Sequence, residues 1–176
     1  VFIRSAITAL LVLLLTACAS QPVSRYDFSV TSIAGERASW PLKSIATSGR
    51  IELTGHLVAE GGEAARIVLR FGGSGLDFPI AYLAFSDHAC KGAYTMLLSH
   101  RVDKNNEITD YFTTKLPWDA PFKVRLLWSH DGKLTVTINN AESKTIKIYG
   151  SISSLVLEAY FGGISVDSFI YSPVRS

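Results

Sequence analysis

Residues 122 to 138 constrain the fold more than any other stretch. Phe122, Val124, Leu126 and Trp128 alternate with Lys123, Arg125, Leu127 and Ser129; beyond Asp131-Gly132 the apolar row resumes as Leu134, Val136 and Ile138, separated by Thr135 and Thr137. A repeat of two is the period of an extended strand, which sends successive side chains to opposite faces. The pattern predicts a β-hairpin with one apolar face. Asp131-Gly132 supplies the positive backbone torsions of a two-residue turn. An apolar sheet face must be covered, and the same texture recurs on both sides of the hairpin. The expected cover is a second sheet. The expected fold class is therefore all-β, a two-sheet antiparallel β-sandwich.

Further strands are expected at 26–32, 51–59, 65–71, 78–85, 94–102, 108–116, 144–148, 155–161 and 164–171, each an apolar row bounded by turn residues. Glu60-Gly61-Gly62-Glu63, the run 72–75 and Asn139-Asn140 are the turn candidates. No stretch after residue 25 carries the spacing of three and four that a helix needs. No period of 20 to 50 residues repeats, which excludes solenoids and propellers. The formal charge of +2, with Lys and Arg scattered singly among acids, excludes nucleic acid as a partner.

The N-terminal segment differs in character. Arg4 precedes the apolar run 6–15, interrupted only by Thr8, and Leu15-Thr16-Ala17-Cys18 follows. About ten residues at about 1.5 Å rise cannot cross a hydrocarbon core about 30 Å thick, so the run reads as the helical core of a secretion signal. Leu15-Thr16-Ala17-Cys18 resembles the lipobox of bacterial lipoproteins, a branched apolar residue and two small residues before the cysteine that is acylated. The resemblance implies lipidation of Cys18, cleavage before it, and the membrane as partner through the lipid. Ala19, where inner-membrane retention uses Asp, implies the outer membrane of the cell envelope. Val1 stands where Met is usual, and Arg4 alone represents the basic segment of such signals. The expected organisation is a signal peptide at 1–17, the lipidated cysteine and tether at 18–25, and the sandwich at 26–176. With Cys18 acylated, Cys90 has no intrachain partner; it reads as a buried inert thiol or, less often, an intermolecular bridge.

Within the sandwich, the run from Pro121 to Trp128, the Asp131-Gly132-Lys133-Leu134 turn, Thr135-Val136 and the closing Val166-Asp167-Ser168-Phe169 resemble the concanavalin A-like lectin/glucanase jelly roll. That resemblance implies a jelly-roll sandwich and a site on its concave sheet or adjoining loops. Lectins, glycosidases and adhesive domains share such scaffolds, so the site must choose among them.

The residues argue against glycoside hydrolysis. Glucanases of this kind carry carboxylates alternating on one strand, because the retaining mechanism needs two carboxyl groups about 5 Å apart. Glu107 and Asp110 are three apart, which a strand sends to opposite faces, and Glu60 and Glu63 share a turn. Ser129-His130-Asp131 has the letters of a triad, but consecutive residues in a hairpin tip cannot face one another as that chemistry requires. No catalytic residue is assigned and no cofactor is required. The one cation candidate is calcium in the loop Asp103, Asn105, Glu107, whose alternate spacing begins as hard-cation loops do but lacks Gly at the sixth position, where Ile108 stands.

Sugar binding needs aromatic faces beside hydrogen-bonding groups. Trp118 after Pro117, Tyr111 and Tyr94 are the aromatic candidates, with His100 and Arg101 as polar neighbours. Two functional classes lead: a lipid-anchored lipoprotein of structural, accessory or adhesive type that contacts another envelope protein, and a glycan-binding lectin-like module. A glycoside hydrolase ranks third.

Overall fold

The computed structural model describes residues 24–31, 37–42, 45–59, 66–87, 93–117, 120–160 and 162–174. The expected signal peptide, Cys18, the tether up to residue 23, Cys90 and Trp118 lie outside the described residues.

Every regular element among the described residues is a strand. In chain order they are β1 (Ser24–Thr31), β2 (Arg37–Leu42), β3 (Gly49–Ala59), β4 (Arg66–Gly73), β5 (Pro79–Asp87), β6 (Ala93–Arg101), β7 (Glu107–Tyr111), β8 (Leu116–Pro117), β9 (Phe122–Trp128), β10 (Lys133–Ile138), β11 (Glu142–Lys147), β12 (Ile152–Tyr160) and β13 (Gly162–Pro173). They form two antiparallel sheets. One has the order β1-β13-β3-β9-β10-β11; the other runs β2-β12-β4-β5-β6-β7, with the short β8 also paired to β6. The fold class is the expected sandwich.

The hairpin behaves as its alternation predicts. Val124, Leu126, Trp128, Leu134, Val136 and Ile138 are all buried on one face, with Trp128 opposite Leu134 and Leu126 opposite Val136. They meet Ile67, Leu69, Phe71, Leu83, Phe85 and Met96 of the other sheet in one core. At one side of the sandwich the core closes with rings from both sheets: Phe28 stacks on Trp40 at 4.1 Å, and Trp40 meets Phe169 edge-on at 5.2 Å.

Three expectations are corrected in detail. The hairpin turn is not a two-residue turn with two positive torsions: only Gly132 has one, at φ 80°, while Gly132 N–H donates to Ser129 O at 3.0 Å and Ser129 N–H to Lys133 O at 3.0 Å. The loop is thus an ordinary turn closed by a left-handed glycine, a geometry that leaves Asp131 unstrained. The paired positive torsions occur at Asn139 (49°) and Asn140 (56°) instead. The expected strand 108–116 is interrupted, since Phe112 drops into the core and donates its N–H to Met96 O at 3.0 Å, so pairing stops at Tyr111 and resumes briefly at β8. Finally, β2 was not expected. Pro41 within it argues against a central strand but is tolerated at a sheet edge, which is where β2 lies.

Candidate functional site

The outer face of the seven-stranded sheet carries the residues that point away from the core on β2, β12, β4, β5, β6 and β7. Alternation places Arg37, Glu158, Tyr160, Arg70, Tyr82, Ser99, Glu107, Thr109 and Tyr111 there, and cross-strand register gathers them: Arg37 opposite Tyr160, Val156 opposite Arg70, Arg70 opposite Tyr82, Tyr82 opposite Ser99 and Ser99 opposite Thr109. Residues far apart in the chain thereby share one face: Arg70, Tyr82, Ser99 and Thr109 lie in one row across the strands, Arg37 and Tyr160 in the row of Arg66, and Tyr111 in that of Glu158.

Its most densely hydrogen-bonded part is centred on Glu158. That side chain is buried, yet both carboxylate oxygens are engaged. Arg37 Nη2 donates to Oε1; Arg70 donates to Oε2 through Nε at 3.0 Å and Nη2 at 2.7 Å, and the Tyr160 hydroxyl donates to Oε2 at 2.9 Å. A carboxylate so engaged fixes two guanidinium groups in place. Both arginines keep further N–H donors. They line a cleft of about 260 Å³ together with Phe78, Ser154 and Val156. A Cβ at Gly72 would lie 2.3 Å from Ser154 Oγ and would turn that hydroxyl away from its present position beside the cleft.

The second part lies on β5, β6 and β7. Glu107 Oε1 accepts hydrogen bonds from the Ser99 hydroxyl and, at 3.0 Å, from Tyr82. The Ser99 hydroxyl, then Tyr82 and the nearby Arg101 charge, hold the Glu107 carboxylate below its usual range. Glu107 and Glu158 are four strand spacings apart, roughly 19 Å at about 4.8 Å each. Two-carboxylate glycosidases need roughly 5–9.5 Å, so this pair does not form such a centre.

Of the residues selected from sequence, Tyr111 is 63% exposed on this outer face, opposite Leu97. Arg101 stands over the Phe78 ring at 4.6 Å and donates to Lys104 O at 3.0 Å. Tyr94 and His100 are corrected: both share the inward row of β6 with Met96 and Leu98 and are buried, so neither reaches a ligand on the surface. Asp103, Asn105 and Glu107 are not brought together as cation ligands. The Asp103 carboxylate accepts from Asn105 N at 2.8 Å, Asn106 N at 2.9 Å and Asn106 Nδ2 at 2.6 Å, closing its own turn, while Glu107 is directed onto the sheet face. The residues do not fit a calcium ion, and no group of three His, Cys, Asp or Glu among the described residues is placed to hold a metal. Arg37, Arg70, Glu158, Tyr160 and Tyr82 were not selected from sequence; their one shared signal is that each is a polar residue on the outward register of an otherwise apolar strand.

Burial lowers the pKa of His100 below the ordinary 6.5, against the raising influence of Asp110 and Glu107. Between the ordinary and the lowered value the unfolded chain binds a proton that the folded chain refuses, so stability falls as pH drops through and below 6.5. Thermal melts across this range should show that loss, and His100→Leu should flatten the slope. An unchanged slope in the variant would assign the loss to other groups.

No protein-family model and no curated protein sequence matches this chain. Solved structures do. An alginate lyase from Pseudomonas aeruginosa superposes with a TM-score of 0.63 at 13% identity, covering 85% of this chain and 82% of that one. The CBM2 module of the evolved Dit of Lactobacillus casei BL23 phage J-1 gives 0.57 at 13% identity, covering 89% and 82%. CG-16, a homodimeric agglutinin from chicken liver, gives 0.55 at 9%, covering 76% and 99%. The fold is a jelly-roll β-sandwich. At these identities the likeness extends to the fold alone.

Proposed function

We propose that this chain is a lipid-anchored protein of the bacterial cell envelope, held in the outer membrane through Cys18, whose sandwich binds a glycan on the outer face of the seven-stranded sheet. The observation that carries the glycan reading is the Glu158 centre, where a buried carboxylate holds Arg37 and Arg70 rigidly at the mouth of a cleft. Preset guanidinium forks read sugar hydroxyls and acid groups without ordering two long side chains on binding. Exposed Tyr111 supplies an aromatic face on the same side of the sheet, in register with Glu158 four strands away. An extended saccharide lying across the strands would meet both. The similar structures favour the same reading, since they include a CBM2 module, an agglutinin and an enzyme named for alginate.

The test is retention of the protein on immobilised polysaccharides, alginate among them, comparing the parent with Arg37→Gln/Tyr111→Ala. Both side chains are exposed, so the melting temperature should move by no more than a few degrees, about 2–4 °C per kcal/mol lost. Loss of charge-assisted hydrogen bonds should weaken binding roughly tenfold or more. Undiminished retention by the double variant would place any glycan site elsewhere.

A further inference from the structure

We infer that the end of the sandwich where the chain enters at Ser24 rests on the lipid bilayer, with Val102, Leu127, Tyr149 and Val174 in the interfacial layer. The inference rests on the lipid-anchor reading of Cys18 and concerns how the anchored domain stands on its membrane.

Register identifies the end. Ser24 pairs with Tyr171, near the Pro173 terminus of β13, and at that same terminus Pro173 pairs with Gly49, which in turn faces Trp128. The loops that follow Trp128 and Ile148 close over this end, joined by Ile148 N–H donating to Gly132 O at 2.8 Å. Apolar side chains accumulate here. Tyr149 N–H donates to Arg101 O at 2.9 Å, which sets Tyr149 beside Val102, and Val174 N–H donates to Ser48 O at 3.1 Å. Leu127 and Val174 border one cavity of about 360 Å³. All four side chains are among the few large apolar ones left exposed, at 37–46%. Val102, Tyr149 and Val174 stand outside the strands and Leu127 near the end of β9, among polar tips at Lys104, Asn105, Asp131 and Lys133; apolar groups left exposed at one end mark an interaction surface.

Tether length selects the occupant. Five residues lie between Cys18 and Ser24, and the six steps span at most about 22 Å when fully extended. The twelve residues of β13 carry the domain about 40 Å from that end to the other. The entry end therefore stays within the tether's reach of the bilayer, whereas the opposite end can stand about 40 Å farther away. Aliphatic tips and a tyrosine suit the headgroup boundary, where apolar bodies are buried and a phenol hydroxyl stays wet. Arg37, Arg70 and Glu158 stand on the sheet face, while Asp77 and Phe78, which complete the cleft, come from the loop between β4 and β5 at this end, so the cleft opens beside the lipid surface.

The experiment uses the full acylated protein in phospholipid nanodiscs, with Cys90→Ser and a single nitroxide introduced at Tyr149→Cys, Val174→Cys or Tyr111→Cys. Relaxation by oxygen, which concentrates in lipid, is compared with relaxation by a water-soluble nickel chelate. The oxygen-to-nickel ratio should be several-fold higher at 149 and 174 than at 111. Equal, water-like ratios at all three positions would overturn the inference, as would shielding of 149 and 174 from both reagents, which would assign this end to a protein partner. Intact mass separates the two levels: a protein without acyl chains on Cys18 overturns the anchor reading and the inference together, whereas an acylated protein with water-like ratios overturns the inference alone.

Discussion

Trp128→Ala should lower the unfolding free energy by about 3–5 kcal/mol, the largest single loss expected in this chain. The indole is buried, its Nε1–H donates to Ala46 O at 2.9 Å, and its ring is stacked on Tyr171 at 6.1 Å. The neighbouring strand is shaped around it. A Cβ at Gly49 would lie 2.4 Å from the ring, so only glycine lets β3 approach so closely. Alanine would leave a large void that rigid sheets on both sides cannot collapse, and an acceptor at Ala46 without its donor. Urea unfolding measures the loss directly. Trp128→Phe should recover part of it, and a cost below about 1.5 kcal/mol for alanine would mean that the ring is not the anchor described.

Arg70→Leu should cost about 2–4 kcal/mol, and Arg70→Leu with Glu158→Leu should return most of it. Removing one partner of a buried ion pair typically costs about 3–5 kcal/mol because the other charge stays in a poor solvent. Glu158 is 1% exposed and fits that case, but Arg70 is 38% and Arg37 55% exposed, so water and the remaining arginine moderate the loss. With both Arg70 and Glu158 replaced, no charge is stranded, and Arg37 is free to turn to solvent. A double-mutant cycle reads the coupling. If the double variant proves as unstable as the sum of the two single ones, the three side chains do not act as a unit. The double variant should fold but lose glycan retention, which separates what the cluster does for stability from what it does for binding.

The alternation of apolar residues carried most of the fold. In β9 and β10 each strand has one buried row and one exposed row, so a period of two could be read without knowing any partner. The same rule, applied fully to β6, already sets Tyr94, Met96, Leu98 and His100 on one face; choosing Tyr94 and His100 as surface ligands overlooked their shared parity with two plain core residues. β2 escaped notice because it is short, contains Pro41 and is only half buried, so edge position, a tertiary fact, decides its state. The Glu158 centre was illegible for another reason. Arg37 and Arg70 stand 121 and 88 positions from Glu158, and only the order β2-β12-β4 makes them neighbours.

That order also bears on when the protein can begin to fold. β13, produced after the other twelve strands, is not added at an edge: it lies between β1 and β3 and pairs with β3 along its whole length. Until it emerges from the ribosome, β1 has no partner in its sheet and one side of β3 is bare. Hydrogen-bonding strands stay unpaired for as long as such distant contacts are missing, which slows folding and exposes sticky edges. β3, β9, β10 and β11 can pair among themselves before then, but β1 joins the six-stranded sheet only through β13. Truncation just before Gly162 should therefore abolish the native fold altogether, rather than trim a strand from it.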